Sequence, residues 1–275
     1  MSDYDPMAIH VRPAATVMLV RQRDEVEVLM LRRNARSVFV GDMWVFPGGA
    51  VDEADRDATL YERLRGVDLD GARTRLELED APAYWVATIR ETFEEAGVLV
   101  ALEDDDTAVN SGRLAAGEFE SWRDGLNAGT ATMRSFLDDT SLLLDGSRLA
   151  YVARFITPVG PPRRYDARFF LAHAPEDQLA SVDNDEAVGH EWVSPAEAIA
   201  KEQSGEMEMM TPTLACLRRL AAYDTADDAL AAAWAGTAET RLRINLDERG
   251  VRRIAFTGDE GYEAASDSEF GWLGI

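Results

Sequence analysis

Residues 83–98 read AYWVATIRETFEEAGV, and their spacing decides the architecture. At about 100° per residue, Val86, Ile89, Phe93 and Ala96 fall on one stripe of a helix, with Glu91, Glu94 and Glu95 on the opposite side. The pattern predicts a helix over 83–96 that ends at Gly97, a residue able to take the left-handed backbone of a C-terminal cap. The apolar stripe is expected to pack inward and the three carboxylates to share one face. Like charges at these spacings weaken a helix by about 0.2–0.5 kcal/mol per pair. In a partly buried cleft, two charges about 4 Å apart repel by roughly 4 kcal/mol at an effective dielectric near 20. A hard divalent cation among the oxygens relieves that repulsion. A solvated acidic face is the alternative reading of the glutamates taken alone.

Their surroundings favour the cation. Upstream lies Phe46-Pro47-Gly48-Gly49, whose paired glycines permit close backbone approach, and Arg90 precedes the first glutamate. A glycine bend facing a helix of glutamates and one arginine is a cradle for metal and diphosphate. Outward from it, ATVMLVRQ and VEVLMLRR read as a hairpin across Arg23-Asp24-Glu25. Val98–Val100 reads as a strand, and residues 56–80 and 112–140 as helical, the latter anchored by Phe119, Trp122, Leu126, Met133 and Leu137. LAYVARFITP and ARFFLAH read as strands on either side of an arginine-rich turn, VGPPRRYD, and GHEWV as a short strand. SPAEAIAKE, PTLACLRRLAAY and ADDALAAAWAG read as helices, and TRLRINL with VRRIAF as a final hairpin turning at 247–250. Interleaved strands and helices predict an α/β (α+β) fold.

Composition sets outer limits. The 275 residues are 46% apolar and 29% charged, ordinary for a folded protein, with no apolar run of membrane-spanning length. A formal charge of −23 opposes nucleic acid and anionic membranes, so an anionic substrate needs local arginines and cations. Cys216 is the single cysteine, which excludes an internal disulfide and a cysteine-based zinc site. With no apolar core in its opening residues, the chain is expected in the cytoplasm. Phe46, Trp44 and Cys216 read as core, and His10, His173 and His190 are assigned no catalytic role.

The central stretch resembles the Nudix hydrolases. Arg90-Glu91-Thr92-Phe93-Glu94-Glu95-Ala96-Gly97-Val98 is similar to the second half of their box, with Thr92 where an apolar residue is usual. Gly49 and, after five residues, Asp55 match the first half, with aspartate in place of glutamate. Residues 56–89, 34 in number, separate the halves where the family has seven, an insertion of 27. A box split in this way resembles the long-insertion branch, whose characterised members cleave coenzyme A and acyl-CoA. LMLRRNARSVFVGDMWVFPGG, ARFITPVGPPRRYDARFFLA and EWVSPAEAI extend the likeness over residues 13–220.

The resemblance implies a Nudix α/β/α sandwich with a mixed sheet. Its expected divisions are a Nudix domain over 8–205, a box insertion at 56–82, a helical segment at 104–148, and C-terminal helices with a hairpin over 206–275. It implies Mg²⁺ or Mn²⁺, two or three ions with substrate, held by Glu91, Glu94, Glu95 and the carbonyl of Gly48. Arg90 would orient Glu94 or Asp55, and Asp55, one methylene short, would reach metal through water. Glu186, with Asp185 second, would be general base or extra ligand. Arg32, Arg33, Arg163, Arg164 and Arg168 would bind phosphate. The implied reaction is hydrolysis of a nucleoside diphosphate linked to another moiety. Coenzyme A or acyl-CoA is favoured over ADP-ribose or NADH, and a nucleotide-binding module without turnover is the rival from another class. Homodimers are common in the family.

Overall fold

The computed structural model of the protein describes residues 8–36, 41–114, 118–159, 161–183, 185–236, 240–246, 252–255, 259 and 261–274. β-Branched and other apolar residues on either side of a short polar link make β1 (Val11–Gln22) and β2 (Val26–Arg33) the expected hairpin, with Val20 opposite Val28. Their mutual ladder covers only Val20–Gln22; beyond it β3 (Trp44–Val45) pairs with β2 and β4 (Gly48–Ala50) with β1. Next come α1 (Ala58–Tyr61), β5 (Leu64–Arg65), α2 (Leu69–Leu76), α3 (Pro82–Ala96), β6 (Ala101–Leu102), α4 (Ser111–Leu114), α5 (Glu118–Asn127), α6 (Met133–Thr140) and β7 (Leu143–Asp145). The chain closes with β8 (Ala150–Ile156), β9 (Arg164–His173), β10 (Ala187–Val193), α7 (Pro195–Ser204), α8 (Thr211–Leu220), α9 (Ala226–Ala235), β11 (Thr240–Leu246), β12 (Arg252–Ala255) and β13 (Ser266–Leu273).

The large sheet runs β10-β2-β1-β9-β8-β13-β11-β12 and is mixed, since β1 and β9 pair in parallel while their neighbours are antiparallel. Its central strands are buried on both faces, so their sequences are continuously apolar rather than alternating. Val17 and Leu19 of β1 join one core with α3, α5 and α6, while Met18 and Val20 join a second with α7, α8 and α9. The fold is therefore an α/β/α sandwich. Residues after 205 complete it: α8 and α9 supply the second helical layer, and β13 extends the sheet against β8.

Four local readings are corrected. Val98–Val100 is buried and extended but joins no ladder, because Leu99 N–H and C=O both bond the side chain of Gln178. The β9 strand begins at Arg164, inside the expected turn, because Val11–Ala14 of β1 offers it a parallel partner. The box insertion is not only helical: β5 joins β6 and β7 in a small sheet. Finally β13, which no motif announces, lies between the predicted final hairpin and the main sheet. The hairpin's turn, 247–250, lies outside the described residues.

The α3 helix is buried along its whole length rather than amphipathic. Its apolar stripe meets the outer helical layer, where Phe93 stacks on Phe136 at 5.6 Å and Phe119 and Trp122 close on Phe136 edge-on. Trp85, at the edge of that stripe, packs edge-on against Phe170 of the sheet at 4.9 Å. Phe136 is thus the keystone of the layer that covers α3. Phe136→Ala is expected to lower unfolding free energy by about 3–5 kcal/mol in urea denaturation. A loss below about 1 kcal/mol would mean that the layer collapses around the gap and does not hold α3 in place.

Candidate active site

The site forms where the last two turns of α3 cross the bend at β4. Gly48 takes φ +151°, and a Cβ there would strike the backbone of Ala15 and Thr16. A Cβ on Gly49 would sit 2.5 Å from Glu91 Oε1, so only glycine lets the bend approach this carboxylate. The Gly48 N–H donates to Glu95 Oε2 at 2.9 Å. Thr92, at the usually apolar box position, spends its hydroxyl on Thr88 C=O at 2.6 Å, which satisfies it within the helix. Gly97 closes α3 in the left-handed region at φ +64°.

Arg90 is the centre of the cluster. Its Nε and Nη2 grip Asp55 through both carboxylate oxygens at 2.9 Å, and Nη2 also donates to Ala50 C=O at 2.8 Å. Its Nη1 donates to Glu91 and Glu94, each at 2.9 Å. Asp55 accepts the Asp52 N–H as well, at 2.8 Å, so this aspartate is the anchor of Arg90. The segment inserted after it returns to the same place because Arg56 Nε pairs with Asp80 at 2.9 Å, tying the two ends of the excursion together.

Arg33 carries the cluster outward. Its guanidinium lies 3.6 Å from Glu95 Oε1 and 3.6 Å from Glu186 Oε2. Thus Glu186, on the loop before β10, faces α3 across one arginine. Asp185 beside it is exposed and is held through its backbone, its C=O accepting from Asn34 Nδ2. The structure therefore brings together Gly48, Asp55, Arg90, Glu91, Glu94, Glu95, Arg33 and Glu186.

It does not bring in the other arginines. Arg32, one residue along the strand from Arg33, is half exposed and pairs with Asp42. Arg163 lies just before β9 and Arg164 opens it, its Nε donating to Thr157 C=O at 3.0 Å. Arg168 is 2% exposed, pairs with Asp166 and stacks over Tyr84 at 4.9 Å. Register puts it opposite Ala15, itself opposite Gly49, so it stands two strand spacings from the bend, roughly 9–10 Å. Residues the motif reading omits include Asp52, 3.8 Å from Arg90 Nη2, and Arg123, whose Nε donates to Glu94 C=O at 2.8 Å. Asp52 falls on an unspecified position of the box and Arg123 outside it, so no spacing rule points to either.

Charge is the outstanding feature. Asp55, Glu91, Glu94 and Glu95 are each at least nine-tenths buried, and Arg90 is the cation buried among them. Burial pushes Glu91 well above the usual carboxylate range, and Glu94 up to about 7 against the pull of Arg90. Burial also lifts Glu95 up to about 8, despite the Gly48 N–H and Arg33. Glu94 and Glu95 lie in the last turn of α3, at the negative end of the helix dipole, and that turn holds no basic residue. Among the described residues no three carboxylates converge on a single ion position, because Glu91 and Glu94 turn on to Arg90 and Glu95 on to Gly48. The donor set nevertheless fits a hard divalent cation in chemistry and charge: all oxygen, rich in carboxyl groups, and with Arg90 the cation buried among four of them.

The family profile described as the NUDT19 Nudix domain matches residues 68–220. The acyl-coenzyme A diphosphatase NUDT19 of Gallus gallus is 28% identical over 270 residues, covering 82% of this chain and 71% of that protein. Its Homo sapiens counterpart is 27% identical over 232 residues, covering 73% of this chain and 62%, less than two thirds, of that protein. Among solved structures, a Nudix hydrolase from Alicyclobacillus acidocaldarius superposes with a TM-score of 0.67 at 28% identity, covering 82% of this chain and 97% of that one. With the profile spanning more than half its length, the chain belongs to the Nudix hydrolases, in the family of the NUDT19 Nudix domain.

Proposed function

We propose that this chain hydrolyses coenzyme A or an acyl-CoA to the phosphopantetheine moiety and adenosine 3′,5′-bisphosphate, using Mg²⁺ or Mn²⁺. The observation that carries the reading is the buried, under-neutralised set of Glu91, Glu94 and Glu95 on α3, packed against a double-glycine bend. The choice of substrate is supported by the relatives from chicken and man, which are acyl-coenzyme A diphosphatases. The lone, buried Cys216 suits a reducing cytoplasm, the compartment proposed here.

When bound, divalent ions, two or three with substrate, supply neutralisation of the diphosphate and a water of lowered pKa. Glu91, Glu94, Glu95 and the Gly48 carbonyl would hold them. Arg90 keeps two of those carboxylates aimed, since its Nη1 bonds both Glu91 and Glu94 while its other nitrogens are fixed on Asp55. Arg33, at the open side of the cluster, offers its fork to a phosphate oxygen. Glu186, exposed beside it, accepts a proton from the attacking water as general base.

Stability follows the same charges. In the unfolded chain these glutamates lose their protons near the ordinary value of 4.5, whereas folded Glu94 keeps its proton to about 7 and Glu95 to about 8. Across that window the folded state binds more protons, so its stability falls as pH rises. A bound cation replaces those protons. In chelator, the melting temperature is expected to drop between about pH 5 and pH 8, and to drop less in Glu95→Gln; Mg²⁺ or Mn²⁺ should raise it more at the higher pH. Equal pH dependence in both proteins, with no cation effect, would remove these carboxylates as the seat of metal binding.

Turnover is the direct test. With Mg²⁺, chromatography of products should reveal cleavage of coenzyme A and acetyl-CoA in preference to ADP-ribose and NADH. Glu95→Gln, similar in shape but one charge short, should lose at least about 10²-fold in kcat. Turnover unchanged in the variant would take α3 out of the reaction, and no turnover by either would favour a nucleotide-binding module.

A further inference from the structure

The segment leading into β10 is held far more firmly than an exposed acidic turn requires. Asp183 Oδ1 accepts the N–H groups of Asp185 and Glu186 at 3.2 Å and of Ala187 at 2.9 Å. Just past β2, the Asn34 N–H donates to Glu186 C=O at 2.8 Å and Asn34 Nδ2 to Asp185 C=O at 3.0 Å. The ladder between β10 and β2 slips by one residue between Ala187 and Gly189, so Val188 is left over and exposed. Bulges of this kind re-aim the side chains beside them. The upstream end of the segment is tied to α3, with Ser181 N–H on Ala96 C=O at 2.9 Å and Arg123 bridging Ser181 to Glu94. All these bonds converge on one exposed side chain, Glu186, whose carboxylate they leave facing Arg33 and Glu95.

We propose that Asp183, seconded by Asn34, is the positioning residue for Glu186, fixing its backbone so that its carboxylate works opposite α3. The proposal rests on the diphosphatase reading and on Glu186 as its base. Asp183 acts as a cluster of lone pairs rather than as a charge: what its neighbours need is an acceptor for their N–H groups. Asparagine offers such an acceptor and alanine does not.

The test is a double-mutant cycle on the full chain with coenzyme A and Mg²⁺. Asp183→Ala should lower kcat 10- to 100-fold with little change in KM, the range typical of groups that orient an active-site residue. Asp183→Asn should stay within about threefold of the wild type, because the acceptor survives. In a Glu186→Gln background, Asp183→Ala should cause almost no further loss, since the residue it positions is already disabled. Hydrogen exchange of the metal-free protein gives a second reading: the Glu186 and Ala187 amides should lose protection in Asp183→Ala and keep it in Asp183→Asn. Asn34→Ala, which removes the side-chain bonds to Asp185 C=O and from the Arg36 N–H but keeps the Asn34 N–H on Glu186 C=O, repeats the cycle should Asp183→Ala fail to fold.

Additive losses in the two backgrounds, or an effect on KM alone, would overturn the positioning role and leave the hydrolase reading standing. Full activity in Glu186→Gln would overturn it as well. Absence of turnover by the wild type would overturn both.

Discussion

A single guanidinium, that of Arg90, makes the site possible. Burying four carboxylates in one place is prohibitive unless something fixed and positive sits among them. Arg90 meets that need with donors in a rigid plane: one edge clasps Asp55 in parallel bonds, and the remaining nitrogen divides between Glu91 and Glu94. Lysine, a point charge, has no second edge to give. The neighbouring acids raise Arg90 above its ordinary pKa although burial works the other way, so it stays charged at any relevant pH. Because Arg90 is on α3 and Asp55 follows β4, the same pair also docks helix to bend.

That docking explains how the box tolerates so large an interruption. The excursion after Asp55 packs into the same core as α3, with Leu60, Leu64, Ala72 and Leu76 buried, and its ends are stapled by Arg56 and Asp80. Lengthening a closed loop adds little entropy once its ends are fixed, since the penalty grows only with the logarithm of length. Aspartate at position 55 is then no defect. With its backbone in a short turn and its carboxylate bonded to the Asp52 N–H, it meets Arg90 from close by, where a longer side chain would have to fold back.

What the sequence reveals follows from how local each signal is. The hairpin, the Gly97 cap and the Ser194 N-cap are set by neighbours along the chain, and they stand where residue types place them. The paired glycines and the glutamate spacing likewise put the bend and the acids on the page. The sidedness of α3 was not legible, because its apolar stripe and its acidic stripe are both buried and which layer each meets is decided by residues far away, Phe136 and Gly49. Arginines were the least legible. Arg32 and Arg33 look alike in sequence, yet alternation along β2 sends one to Asp42 and the other to Glu95 and Glu186. Arg168 reads as a phosphate ligand alongside Arg163 and Arg164 until strand pairing buries it beside Tyr84.

The overall charge makes that distribution of arginines consequential. A net −23 repels any diphosphate at long range, and arginines that could offset it are engaged elsewhere: Arg32 with Asp42, Arg154 and Arg168 with Asp166, Arg90 within the cluster. On the reading proposed above, attraction must therefore be short-ranged and assembled at the site, from Arg33 and from the ions that the acids of α3 hold. The negative end of the helix dipole, poorly placed for binding an anion directly, is well placed for that purpose, since it adds to the field that draws in a cation. The acids that oppose the substrate at a distance are then what recruits its counter-charge at contact, and selectivity for a metal-bound diphosphate over a bare anion follows from the same arrangement.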